Sequence, residues 1–298
     1  MERRRFGKTD MEVSVLGFGG AEIGYQNASL KTVEALLKSA LDEGLNVIDT
    51  AECYAGSEEL IGAAVSGRRK DFYLFTKCGH GNRYDVPEWR PEQIEKSIDR
   101  SLQRLKTEHL DLIQLHSCDE ATLRKGEVIE ALQKAKKAGK TRYIGYSGDG
   151  KAAQYAIECG AFDALQTSIS IADQEALDTT IPAAKARGMG VIAKRPLANA
   201  AWRSANKPND PYLHPYWDRL RKLNYDFING NMEKSISTAL RFTLSAPGVQ
   251  TAIVGTTKPG RWSENAKLLA NGALPEREFD AIRERWKSIA GQDWVGQV

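Results

Sequence analysis

The run Asn46-Val47-Ile48-Asp49-Thr50-Ala51-Glu52-Cys53-Tyr54 decides the reading of this chain. Its first four residues read as a short apolar strand ending on an acid, and a tyrosine follows a few residues later. Two later runs have the same form. Phe72-Tyr73-Leu74-Phe75-Thr76-Lys77 ends on an amine, and Asp111-Leu112-Ile113-Gln114-Leu115-His116 ends on an imidazole. In a barrel of alternating strands and helices, active sites are built at the carboxyl ends of the strands. An acid, a phenol, an amine and an imidazole converging there can protonate a carbonyl oxygen.

Working outward, strand-like and helix-like segments alternate along the chain. Val15-Leu16-Gly17-Phe18-Gly19 precedes a helix whose stripe is Val33, Leu36, Leu37, Ala40 and Leu41, stopped at Gly44. After the strand 46–50 a helix is expected over roughly 57–67, then the strand 72–77. Pro91 opens a helix lined by Ile94, Ile98, Leu102 and Leu105. Val128, Ile129, Leu132 and Ala135 mark another, ending at Gly139. Strands near 142–147, 164–169, 190–194 and 250–254 bring the count to eight. Helices with short connections, as a parallel sheet requires, favour a closed (β/α)8 TIM barrel in one domain over 1–298. Gly7-Lys8-Thr9-Asp10, between short apolar patches, reads as an N-terminal β-hairpin before the barrel. The stretch from Ala198 to Asn231, with three prolines and six aromatic residues, reads as a long functional loop at the carboxyl-end face. The tail carrying Trp286 and Trp294 can reach the same face.

Composition narrows the partners. A net charge of +3 over 298 residues is too small and too evenly spread for nucleic acid. No run approaches the ~18 apolar residues of a membrane span. Met1-Glu2-Arg3-Arg4-Arg5 has no apolar stretch behind it, so no signal peptide is expected. Cys53, Cys78, Cys118 and Cys159 have neither metal-type spacing nor a disulfide framework, which fits a reducing cytoplasm. Oligomeric state is open.

The chemistry of the four residues follows from their types. Reducing a carbonyl with a hydride leaves charge on oxygen, so a proton donor must sit beside it. Tyr54 can be that acid, but a free phenol has a pKa of about 10. The ammonium of Lys77 is expected to favour the phenolate and lower that value. Asp49 can hold Lys77, and His116 can orient the substrate oxygen. Singly, each residue has an ordinary explanation as a cap, an aromatic, a rim lysine or a core histidine. A barrel hydrolase using Asp49 and Glu52 would leave Tyr54 and Lys77 without roles.

The run 48–54 with Ser57-Glu58 and Gly62 resembles the signature of the aldo-keto reductase family. Thr76-Lys77, Leu115-His116, Ile144-Gly145-Tyr146-Ser147 and Arg261-Trp262-Ser263-Glu264-Asn265 extend the likeness, in order, over nearly the whole chain. The resemblance implies a barrel-shaped, NADPH-dependent reductase of aldehydes or ketones with Asp49, Tyr54, Lys77 and His116 as the catalytic set. An NADP(H)-binding regulatory or sensing subunit is the alternative. No dinucleotide fingerprint is present, since Glu22 interrupts the glycines that begin Gly17-Phe18-Gly19-Gly20. The resemblance instead implies Gly20 and Ala21 near the nicotinamide ribose, with Asp49 adjoining, and Ser147 and Gln166 at the carboxamide. It implies Thr256, Lys258 and Arg261 around the 2′-phosphate, beside Gly255, and Glu264 and Asn265 at the adenine. Two departures stand out. Gly148-Asp149 follows Ser147 where the family often has asparagine, so a carboxamide contact is lost or comes from Asp149. Lys194-Arg195-Pro196-Leu197 stands where the family has an aromatic before Ser-Pro-Leu. Arg195, or else the stem of Lys194, is then expected to cover the nicotinamide.

Overall fold

Eight short strands pair in sequence order and close into a parallel barrel. The computed structural model describes residues 1–80 and 87–297; the stretch 81–86 and Val298, the last residue of the expected domain, lie outside the described residues. Arg3–Arg5 (β1) and Glu12–Ser14 (β2) form the antiparallel hairpin. The barrel is Leu16–Gly19 (β3), Val47–Asp49 (β4), Tyr73–Cys78 (β5), Leu110–His116 (β6), Thr141–Ser147 (β7), Ala164–Ser168 (β8), Gly190–Lys194 (β9) and Thr251–Gly255 (β10). β10 pairs with β3 to complete the ring. Strands covered on both faces need apolar residues throughout, which is why they read as continuous apolar runs.

The hairpin plugs the amino-terminal end of the barrel. Phe6 stacks on Phe75, centroids 5.7 Å apart, in a cluster with Met11, Val13, Val47, Leu112 and Ile192. Gly190 is required there, because a Cβ would sit 2.5 Å from the Phe6 ring. Asn46 fastens the hairpin to β4, accepting from the Ser14 amide at 2.6 Å and donating to the Glu12 carbonyl at 2.8 Å.

The surrounding helices follow the expected stripes. Leu30–Asp42 buries Val33, Leu36, Leu37, Ala40 and Leu41, and its Ser29 cap accepts from the Thr32 amide. Pro91–Leu105 starts on its proline. The helix expected over 57–67 is Ser57–Val65, after which Arg68 leaves helical geometry within a tighter turn. The stretch 198–231 differs from the expected loop. It contains the helix His214–Leu223, opened by Pro215 in its first turn. Tyr216, Leu220 and Leu223 of that helix build a second apolar cluster with Phe242, Trp286 and Trp294. Prolines that suggested irregular chain therefore start a helix, and the aromatic residues form a core of their own. No helix among the described residues is long and apolar enough to cross a membrane.

Candidate active site

Barrel register gathers the polar strand ends. Gly19 is level with Asp49, Lys77 with Gln114, His116 with Ser147, and Ser147 with Gln166. Asp49 and Lys77 are 1% and 2% exposed and form an ion pair at 2.5 Å. The Lys77 ammonium also donates to the Thr50 carbonyl at 2.8 Å, and Gln114 donates to the second Asp49 oxygen at 3.2 Å. Two opposite charges inside a barrel are tolerated because each is paired and hydrogen-bonded.

Tyr54 and His116 lie directly against this pair. The Lys77 nitrogen is 5.1 Å from the centroid of the Tyr54 ring, and the Tyr54 and His116 rings meet edge to face at 5.7 Å. His80 meets His116 at 5.0 Å and Trp89 at 5.3 Å, and Tyr25 meets Tyr54 at 5.6 Å. A continuous aromatic wall thus runs from Tyr25 to Trp89. Burial, reinforced by the Asp49 charge, pushes the Tyr54 phenol well above its ordinary range. This differs from the expected lowering by Lys77, and the cause is first the burial of the phenol and second the Asp49 charge. The phenol therefore carries its proton at neutral pH. Burial, with the Lys77 charge second, holds His116 well below the ordinary imidazole range, so this ring is neutral.

Tyr25, Asp49, Tyr54, Lys77, His80 and His116 line a cavity of about 1440 Å³ that extends to the loop after β10. That is larger than the volume typical of one small-ligand pocket. Its lining includes Gly20 and Ala21 after β3 and, from the end of the neighbouring β10 onward, Gly255, Thr256, Lys258, Arg261 and Asn265. Ser147, Gln166, Lys194, Arg195, Pro196 and Leu197 line it too. Glu264 does not join the wall: its side chain is 59% exposed and pairs with Arg261 at 2.8 Å. This ion pair spans one helical turn.

A nicotinamide dinucleotide fits this donor set. Ser147 donates to the Gln166 side-chain oxygen at 2.9 Å, while the Gln166 amide nitrogen is buried with no partner among the described residues. A buried unmade donor is costly, and a carboxamide oxygen would complete it. Lys258 and Arg261 supply positive charge for a phosphate.

The residues at the two departures are held by contacts of their own. Asp149 is fully engaged away from the cavity: its carboxylate pairs with Lys194 at 2.8 Å and accepts from Thr167 and from the Ser168 amide, both at 2.7 Å. Burial lowers Lys194 to about 8 despite this partner. Arg195 has a left-handed backbone, φ 56°, and donates to Ser168 at 2.9 Å and to the Gln297 carbonyl at 2.6 Å. Its guanidinium carbon lies 5.5 Å from the centre of the Tyr212 ring. Lys194 and Arg195 thus anchor the C-terminal tail at the barrel mouth.

Sequence reasoning missed Tyr25, Gln26, Arg203, Tyr212 and Thr257 on the cavity wall. It saw Glu22 only as a break in the glycine pattern. Glu22 is a half-buried carboxyl, raised by desolvation, and packs so closely on Gly255 that a Cβ there would lie 1.5 Å from its oxygen. Thr257 donates to Gln26 at 2.9 Å, so the two lips touch. An acid beside the glycines was the visible signal; the lip residues had none, since loops assign their contacts only in three dimensions.

Comparison with known proteins points one way. The model of the aldo/keto reductase family matches residues 15–287. L-galactose dehydrogenase of Arabidopsis thaliana is 29% identical, over 100% of this chain and 99% of its own. Aldo-keto reductase yakc of Schizosaccharomyces pombe, whose name carries NADP(+), is 36% identical over 45% of this chain and 42% of its own. The holo form of aldo-keto reductase AKR11C1 from Bacillus halodurans superposes with a TM-score of 0.83, at 25% identity and 99% coverage of both chains.

Proposed function

The chain belongs to the aldo/keto reductase family of oxidoreductases, and from that premise we propose that it reduces aldehydes or ketones to alcohols with NADPH, Tyr54 giving the proton. One observation supports this above the rest. A protonated Tyr54 lies beside a buried Lys77–Asp49 pair and a neutral His116, all lining one cavity of about 1440 Å³.

When bound, reduced nicotinamide supplies a hydride to the carbonyl carbon. His116 orients the substrate by donating to the carbonyl oxygen. As charge develops on that oxygen, Tyr54 passes its proton there, and the alcohol forms without a free alkoxide. Lys77 steadies the phenolate left behind, and Asp49 keeps Lys77 in place. Run in reverse, the same groups oxidise an alcohol, the direction carried in the name of the Arabidopsis relative. Ser147 and Gln166 would hold the carboxamide, with Gly20 and Ala21 at the ribose and Gly255 and Asn265 farther along the groove. Thr256, Lys258 and Arg261 would receive the 2′-phosphate, the basis for NADPH over NADH; the NADP(+) in the name of yakc points the same way.

Tyr54→Phe tests this reading. Turnover of NADPH with aldehydes should fall by about 10²–10⁴, the usual contribution of general acid catalysis, while NADPH affinity stays nearly unchanged. Turnover within a few-fold of the parent would remove Tyr54 from the reaction.

A further inference from the structure

His116 has a partner on one ring nitrogen. The Cys53 sulfur lies 3.3 Å from Nδ1, while Nε2 makes no hydrogen bond among the described residues. Both Cys53 and His116 line the cavity. A neutral imidazole has one N–H and one lone pair, so the protonation of the ring is a choice between two tautomers. Burial holds His116 neutral. Burial also pushes the Cys53 thiol up to about 11, so the sulfur keeps its proton at physiological pH. A thiol in that state has a hydrogen to donate and is a weak acceptor. Imidazole nitrogen is a better acceptor than sulfur, so the contact favours S–H donating to the Nδ1 lone pair, the arrangement that puts the ring proton on Nε2.

We propose that Cys53 is a positioning residue for His116: its S–H, donated to Nδ1, fixes the tautomer whose Nε2–H is free to meet a carbonyl oxygen. The kinetic part of this statement rests on the carbonyl-reductase reading; the tautomer does not. Cys53 immediately precedes Tyr54 in the chain. One short segment thus supplies both the group that sets His116 and the proton donor beside it.

The test uses the full-length protein with ¹⁵N-labelled histidine and three chains: parent, Cys53→Ser and Cys53→Val. In the parent at neutral pH, the His116 resonances should show Nδ1 as an unprotonated, hydrogen-bonded nitrogen and Nε2 as the protonated one. Cys53→Val should shift Nδ1 to a free lone pair or to a mixture of tautomers, and Cys53→Ser should restore the parent pattern. In the same series, kcat/KM for an aldehyde should fall about tenfold in Cys53→Val, the scale of one neutral hydrogen bond, and recover in Cys53→Ser, with NADPH affinity constant. A parent His116 protonated at Nδ1, or a spectrum that Cys53→Val leaves unaltered, overturns the proposal. The expected spectra with unaltered kinetics would uphold Cys53 as the group that sets the tautomer and would remove His116 from the reaction.

Discussion

Two charges that neutralise each other inside the barrel hold the site together at the scale of residues. Asp49 and Lys77 are 28 positions apart in sequence and 2.5 Å apart in space. Lys77→Met would strand the Asp49 carboxylate in the barrel. Breaking a buried pair from one side costs about 3–5 kcal/mol, whereas replacing both partners is often close to neutral. Denaturant unfolding should therefore show a large loss for Lys77→Met and a recovery of most of it in Asp49→Asn/Lys77→Met. Turnover should stay low in both. A single variant as stable as the parent would contradict the buried pairing. The three polar strand ends, and Tyr54 just past the first of them, were legible from residue type and position alone. The Asp149–Lys194 pair was not, although both residues drew notice as departures. Each seemed to face the cofactor, and only the strand register, which sets Ser168 level with Lys194, turns them toward each other.

At the scale of elements, the helix Ser57–Val65 carries an acid into its contact with the barrel. Glu58 is fully buried and accepts from Thr76 on β5 at 2.7 Å. Burial raises it from 4.5 to about 7, against the opposing pull of Thr76 and Arg104. The folded protein therefore binds this proton more tightly than the unfolded chain does. Its contribution is fully present below pH 4.5 and is lost as pH rises through about 7, on the order of 3 kcal/mol in all. Glu58→Gln removes that dependence. Relative to the parent, its unfolding free energy should improve between pH 5 and pH 8; a constant difference across that range would contradict the raised value. Helix and strand positions were readable because apolar stripes of period 3.6 differ from buried strands. The helix His214–Leu223 was not. Its stripe of Tyr216, Leu220 and Leu223 is short, and three nearby prolines signal a break until Pro215 is seen in the first turn.

For the whole molecule, the barrel sets the strand ends and the segments outside it close the mouth. Trp294 packs near Trp286, their centroids 6.3 Å apart, while Arg219 donates to the Val295 carbonyl at 2.9 Å. Arg195 continues the arrangement at Gln297, so the tail crosses beside the strand ends that the catalytic reading uses. The closed barrel was legible from eight alternating segments, and the candidate site from the polar residues at or just past their ends. The long connection and tail were expected at the mouth, but their contacts were not legible, because carbonyl hydrogen bonds such as those from Arg195 and Arg219 leave no periodic trace. Hydride transfer between NADPH and a carbonyl at this mouth is the central claim. Incubating the protein with an aldehyde and NADPH deuterated at the transferable position, then weighing the alcohol, measures it directly. The account predicts one deuterium per alcohol on the former carbonyl carbon, formed as fast as NADPH is consumed and far more slowly by Tyr54→Phe. Unlabelled alcohol, or NADPH that binds without being consumed across a panel of aldehydes, ketones and sugars, would contradict it.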